Sequence, residues 1–107
     1  MFYLIQASNS AEAWANQVEN PQNIVERITP TVEELGGRID RGVYSFGEYD
    51  VVAIPEFPGN VSVAAISVAE SATGATKSIK TTPLMTIEEG MKITTRAGEV
   101  AYRPAGA

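Results

Sequence analysis

Glu48, Tyr49 and Asp50 stand together in the chain and form its densest group of side chains able to move a proton or anchor a ligand. An aspartate works as a general base near neutral pH only when burial raises its pKa. Otherwise Asp50 accepts backbone hydrogen bonds and Tyr49 packs at a sheet edge, and both readings stay open. Tyr3 and Tyr44 each join an apolar ring to a polar tip, suited either to lining a space between layers or to plain core and interface packing. Lys77 and Lys80 are three residues apart, so on an extended segment they point to opposite faces. A lysine on the inner face would need a carboxylate such as Asp50 or Glu48 beside it, whereas solvent exposure of both needs nothing. The candidate ligand-binding set is therefore Tyr3, Tyr44, Glu48, Tyr49, Asp50, Lys77 and Lys80, and no residue is assigned a catalytic role. Trp14, the single tryptophan, reads as core or interface filling.

Much other chemistry is excluded by composition. The chain has no histidine and no cysteine. A Ser-His-Asp or Cys-His nucleophile cannot be assembled, and histidine or thiolate ligation of zinc, iron or haem is closed as well. The carboxylate pairs Glu33-Glu34 and Glu88-Glu89 read as solvated helix ends, so neither a metal nor any other cofactor is expected. Residues 74–78, Gly-Ala-Thr-Lys-Ser, lack the first glycine and the glycine before lysine that a phosphate loop requires. With 8 basic against 13 acidic residues, a net charge of −5 and no basic stripe, nucleic acid is not an expected partner. No apolar run approaches the roughly 18 residues of a membrane span. The first residues read as a strand and not as a leader, and a bacterial or archaeal cytoplasm is the expected location.

The elements that must position these residues follow from periodicity. At 107 residues the chain is the size of one domain. We expect that domain over residues 1–95 and a loosely held C-terminal tail over residues 96–107. Residues 2–7 are apolar and β-prone, a first strand. A short helix follows over residues 11–18, and Asn20-Pro21 restarts it as N-cap and first helical residue. Ile24, Ile28, Val32 and Leu35 recur at helical spacing, with a kink or restart expected at Thr29 because Pro30 removes a hydrogen bond. Gly36-Gly37 ends the helix. Residues 38–46 and 49–57 read as a hairpin on a two-residue Gly47-Glu48 turn, with a bulge near Gly42 where the alternation changes phase. Asn60 is the expected cap of a helix over residues 61–73. Its small residues on every side imply close packing on more than one side. Residues 76–82 make a last strand ended by Pro83. Thr86-Ile87-Glu88-Glu89 matches a capping box and predicts a short helix to about Thr94.

The order is β-α-β-β-α-β plus a terminal helix, an α+β, ferredoxin-like plan with a four-stranded antiparallel sheet and its helices on one face. Val51-Val52-Ala53-Ile54 is apolar at every position, which implies burial on both faces of the strand. A second copy packed sheet to sheet about a two-fold axis is the cover this predicts.

Gly36-Gly37, residues 44–52 (Tyr-Ser-Phe-Gly-Glu-Tyr-Asp-Val-Val) and residues 76–89 together resemble the GYD domain family in order and spacing. The resemblance spans roughly residues 2–91. It implies a ferredoxin-like domain that dimerises as an α+β barrel, and it implies no particular function. The expected role is a homodimer or higher even oligomer that binds a small apolar or aromatic molecule between sheet and helices. The alternatives are an assembly protein without ligand and a small-metabolite isomerase or cyclase working through Tyr, Asp or Lys.

Overall fold

The computed structural model describes residues 1–106. Four strands and four helices follow in the order β1 (Tyr3–Asn9), α1 (Ala11–Glu19), α2 (Ile24–Glu34), β2 (Arg38–Tyr44), β3 (Val51–Glu56), α3 (Asn60–Ala72), β4 (Thr76–Pro83) and α4 (Ile87–Glu99). The strands form one antiparallel sheet in the order β2-β3-β1-β4, an α+β architecture. Alternation divides each strand between two faces. Tyr3, Ile5 and Ala7 of β1 and Val51, Ala53 and Pro55 of β3 point toward the helices. Leu4, Gln6, Val52 and Ile54 point the other way, where no helix among the described residues packs on them.

The core lies at one end of the helix-covered face. Tyr3, Val32, Phe57, Val63 and Ile66 are buried together, with Ile5, Leu35 and Ile39 packed against them. The predicted helical face of α2 thus meets the sheet as its spacing requires. Tyr3 and Phe57 meet edge to face, ring centroids 6.4 Å apart. The buried Tyr3 hydroxyl donates to Asn60 Oδ1 at 2.8 Å, which satisfies a group that would be costly to leave alone.

The Gly36-Gly37 stop is a Schellman motif. Gly36 N–H bonds Glu33 O at 2.9 Å and Gly37 N–H bonds Val32 O at 3.0 Å, with Gly36 at φ +79°. Gly37 serves packing instead, because a Cβ there would stand 2.6 Å from Glu56 O and from the Phe57 ring.

Several local expectations are corrected. Asn23, not Asn20, caps α2, its side chain accepting from Glu26 N–H, so Pro21 lies in the linker. The helix runs through Pro30 without restarting at Thr29, whose hydroxyl donates to Val25 O. The β2–β3 connection is six residues, 45–50, not a two-residue turn. Ser45 N–H bonds Asp50 O, and Ser8 Oγ reaches Glu48 O, so contacts with β1 hold the loop open. The bulge expected near Gly42 is present, at Asp40 between Ile39 and Arg41. Gly42 has another use: a Cβ there would meet Val25 Cγ2 at 2.8 Å, so its absence lets α2 approach β2. The residue before α3 is Gly59, which has no side chain to cap with, and Asn60 is the first helical residue, its Oδ1 accepting from the Tyr3 hydroxyl. Within the chain α3 is packed on one side only, with Val63 and Ile66 buried and Val61 and Val68 exposed.

The capping box is present as predicted, Thr86 and Glu89 bonding reciprocally at 3.0 and 3.1 Å. The helix it starts continues to Glu99, five residues past the expected end, so the first part of the expected tail is helical. Ala107, the last residue of that tail, lies outside the described residues. No helix among the described residues is long and apolar enough to cross a membrane.

Candidate functional site

Beside the core, the layer between sheet and helices opens into a cavity of about 430 Å³. Side-chain size explains where it opens. Tyr3 and Phe57 fill one end of the interlayer space, but the floor further along is Ala7 and Ala53, and the walls include Ala13 of α1, Thr31 of α2 and Ala69 of α3. Small residues facing small residues cannot close a gap about 10 Å thick. Ile5, Ile24, Ile28, Val32, Ile39 and Ile66 make much of the remaining wall apolar.

Polar groups sit at its margin. Arg27 comes from α2, Glu70 from α3, Asn16 and Gln17 from α1, Thr73 from the segment joining α3 to β4, and Thr76 from the start of β4. Burial pushes the Glu70 carboxyl above its ordinary value, and the positive charge of Arg27 pulls partly against that. The α1–α2 wall is tied by Gln17 Nε2 donating to Gln22 O at 2.7 Å. Such a space suits an apolar body carrying one hydrogen-bonding or charged group that Glu70 or Arg27 can meet.

The seven residues singled out from sequence lie elsewhere. Tyr3 is fully buried in the core, its hydroxyl on Asn60. Tyr44 is half exposed on β2, its ring stacked on Trp14 of α1 with centroids 6.2 Å apart. The Asp50 carboxylate accepts from Asn9 N–H at 2.9 Å while its own N–H bonds Ala7 O, so it secures the end of β1. Tyr49 O and Glu48 O accept from Ser45 and Ser8 hydroxyls in the same loop. Lys77 and Lys80 are both exposed on β4. Loop and strand end thus bring Glu48, Tyr49 and Asp50 together, but none of the seven lines the cavity. The Tyr, Asp and Lys side chains named for proton transfer therefore do not meet there. Sequence reasoning passed over Arg27 and Glu70. Glu70 carried one legible signal as the single charge of an otherwise small and apolar helix.

The GYD domain family matches residues 3–94, all four strands and α1 to α3 with the first part of α4. The chain belongs to that family. No curated protein matches it. The GYD match stops inside α4, so the last turn of that helix and the residues after it fall outside the shared domain.

Proposed function

We propose that this GYD domain is a binding module that holds a small apolar or aromatic molecule in the interlayer cavity. The supporting observation is the cavity itself. It lies in the size range of small-molecule sites, roughly 300–1,000 Å³, and has an apolar floor with Arg27 and Glu70 at its margin. The strand order β2-β3-β1-β4, with α1 and α2 in the first crossover and α3 in the second, supports a ferredoxin-like reading of the domain. The apolar open face of the sheet supports a homodimer packed sheet to sheet, the second part of the proposal. A prokaryotic cytoplasmic setting belongs to the same reading.

Native mass spectrometry of the purified protein tests the site, with Nile red as an added aromatic probe. The expected result is a removable adduct, or Nile red fluorescence that rises on binding. Either signal should drop at least tenfold in Ala69→Phe, which places a ring at the cavity wall from an exposed helix position. A clean mass together with dye binding that ignores Ala69→Phe overturns the proposal.

A further inference from the structure

The chain is far more extended than its length requires. Its radius of gyration is 17.5 Å and its longest dimension 58 Å. A compact domain of this length has a radius of about 13 Å. Its accessible surface is 7675 Å². A monomer of this mass exposes roughly 5,800 Å². The excess is more than twice the roughly 800 Å² that each partner gives to a standard interface.

One contributor to that surface is α4, which has no buried residue. One side of this helix is nevertheless built for contact. Ile87, Met91, Thr94 and Gly98 fall in a stripe at spacings of four, three and four. Ile87 is 80% exposed and Met91 66% exposed. The helix is also poorly equipped to stand alone. Thirteen residues is near the limit of about 12–15 for an isolated helix in water. Gly90, Gly98 and the β-branched Ile93, Thr94 and Thr95 lower its propensity further.

The same chain carries the complementary surface. The open sheet face presents Val43, Val52, Ile54 and Leu4, with Arg41 paired beside Ile54 and Lys80 beside Gln6. Glu88 and Glu89 occupy the first turn of α4, opposite in sign to Arg41 and Lys80. β2 and β4 are the two edges of the sheet. When two copies face each other about a two-fold axis along the strands, β4 of one lies over β2 of the other.

We propose that α4 is an exchanged arm. It leaves β4, crosses to the second copy, and lays its Ile87–Met91 stripe along the partner's β2 over Val43, its acidic first turn beside Arg41. The arm rests on the homodimer reading above, and it makes the dimer depend on a helix that the body of the domain does not need.

The full-length chain tests this by sedimentation velocity over a dilution series, together with cross-linking. Ile87→Glu/Met91→Glu, both at exposed positions, should weaken self-association at least tenfold and leave the melting temperature of the dilute protein unchanged. Because the chain has no cysteine, Met91→Cys in one copy and Val43→Cys in another can be joined by a short bismaleimide without background. Mixed single variants should yield a two-chain product. If the parent dimerises equally well with the charged stripe and mixed variants do not cross-link, the arm is overturned and the homodimer stands. A monomeric parent overturns both. A concentration-independent link within one Met91→Cys/Val43→Cys chain shows the helix folded back on its own sheet, and also overturns the arm.

Discussion

Tyr3 and Glu70 show what burial asks of single polar side chains. Tyr3 loses all contact with water and recovers a partner in Asn60 Oδ1, so its ring fills the core without an orphaned hydroxyl. Glu70 is held among apolar neighbours that disfavour its charge, and its pKa rises for that reason, with Arg27 opposing. A carboxyl whose pKa is raised on folding binds its proton more tightly in the native state. Its contribution to stability is present below the ordinary carboxylate range and is lost as pH rises through the raised native value. Urea titrations from about pH 4 to about pH 8 should therefore show Glu70→Gln gaining stability relative to the parent as pH increases, with the difference levelling off once Glu70 is ionised in the native state. A difference independent of pH would mean that the carboxyl is solvated in the folded protein.

Among the elements, several features set by short-range rules matched expectation, although the Asn20-Pro21 start of α2 and the break at Pro30 did not. Features set by distant contacts departed from it. The apolar face of α2, the Schellman stop at Gly36-Gly37 and the capping box of α4 each depend on residues within one helical turn or the loop beside it, and each was legible. The hairpin was misread because Ser8 and Asn9, some forty residues away, hold the 45–50 loop through Glu48 O and the Asp50 carboxylate. Asn60 is not the cap because the helix begins on it, with Gly59 before it, and its side chain meets Tyr3 instead, 57 residues away. Gly37 tests how tightly this end of α2 is docked. Gly37→Ala puts a methyl group 2.6 Å from a backbone oxygen that cannot move freely. It should cost about 1–3 kcal/mol in chemical denaturation, where a change under about 0.5 kcal/mol would show that the α2–β2 turn has room to shift.

For the molecule as a whole, the outstanding feature is unburied apolar surface at two places on one chain, the open sheet face and α4. Local stability should follow that division. In hydrogen exchange at high protein concentration, amides of α4 should be protected nearly as well as those of β1 and β3. On dilution below the dissociation midpoint the α4 protection should fall to that of a free peptide, while the sheet changes little. Protection of α4 that ignores concentration would place its partner within the same chain.

The sequence by itself determined the element order, the α+β class, the family and the chemistry the chain lacks, because periodicity, caps and composition act over a few residues and need no partner. It also pointed to a strand apolar on both faces: Ala53 and Pro55 line the interlayer space, and Val52 and Ile54 alternate onto the other face. Only the tertiary structure decided where space remains. The cavity exists because Ala7, Ala53, Ala13 and Ala69, distant in sequence, converge on one end of the interlayer while Tyr3 and Phe57 fill the other. Likewise Asp50, conspicuous in the sequence, is committed to Asn9 N–H, whereas the inconspicuous Glu70 lines the open space. Which polar group is occupied and which is left to meet a ligand depends on neighbours brought together by the fold, and spacing along the chain does not contain them.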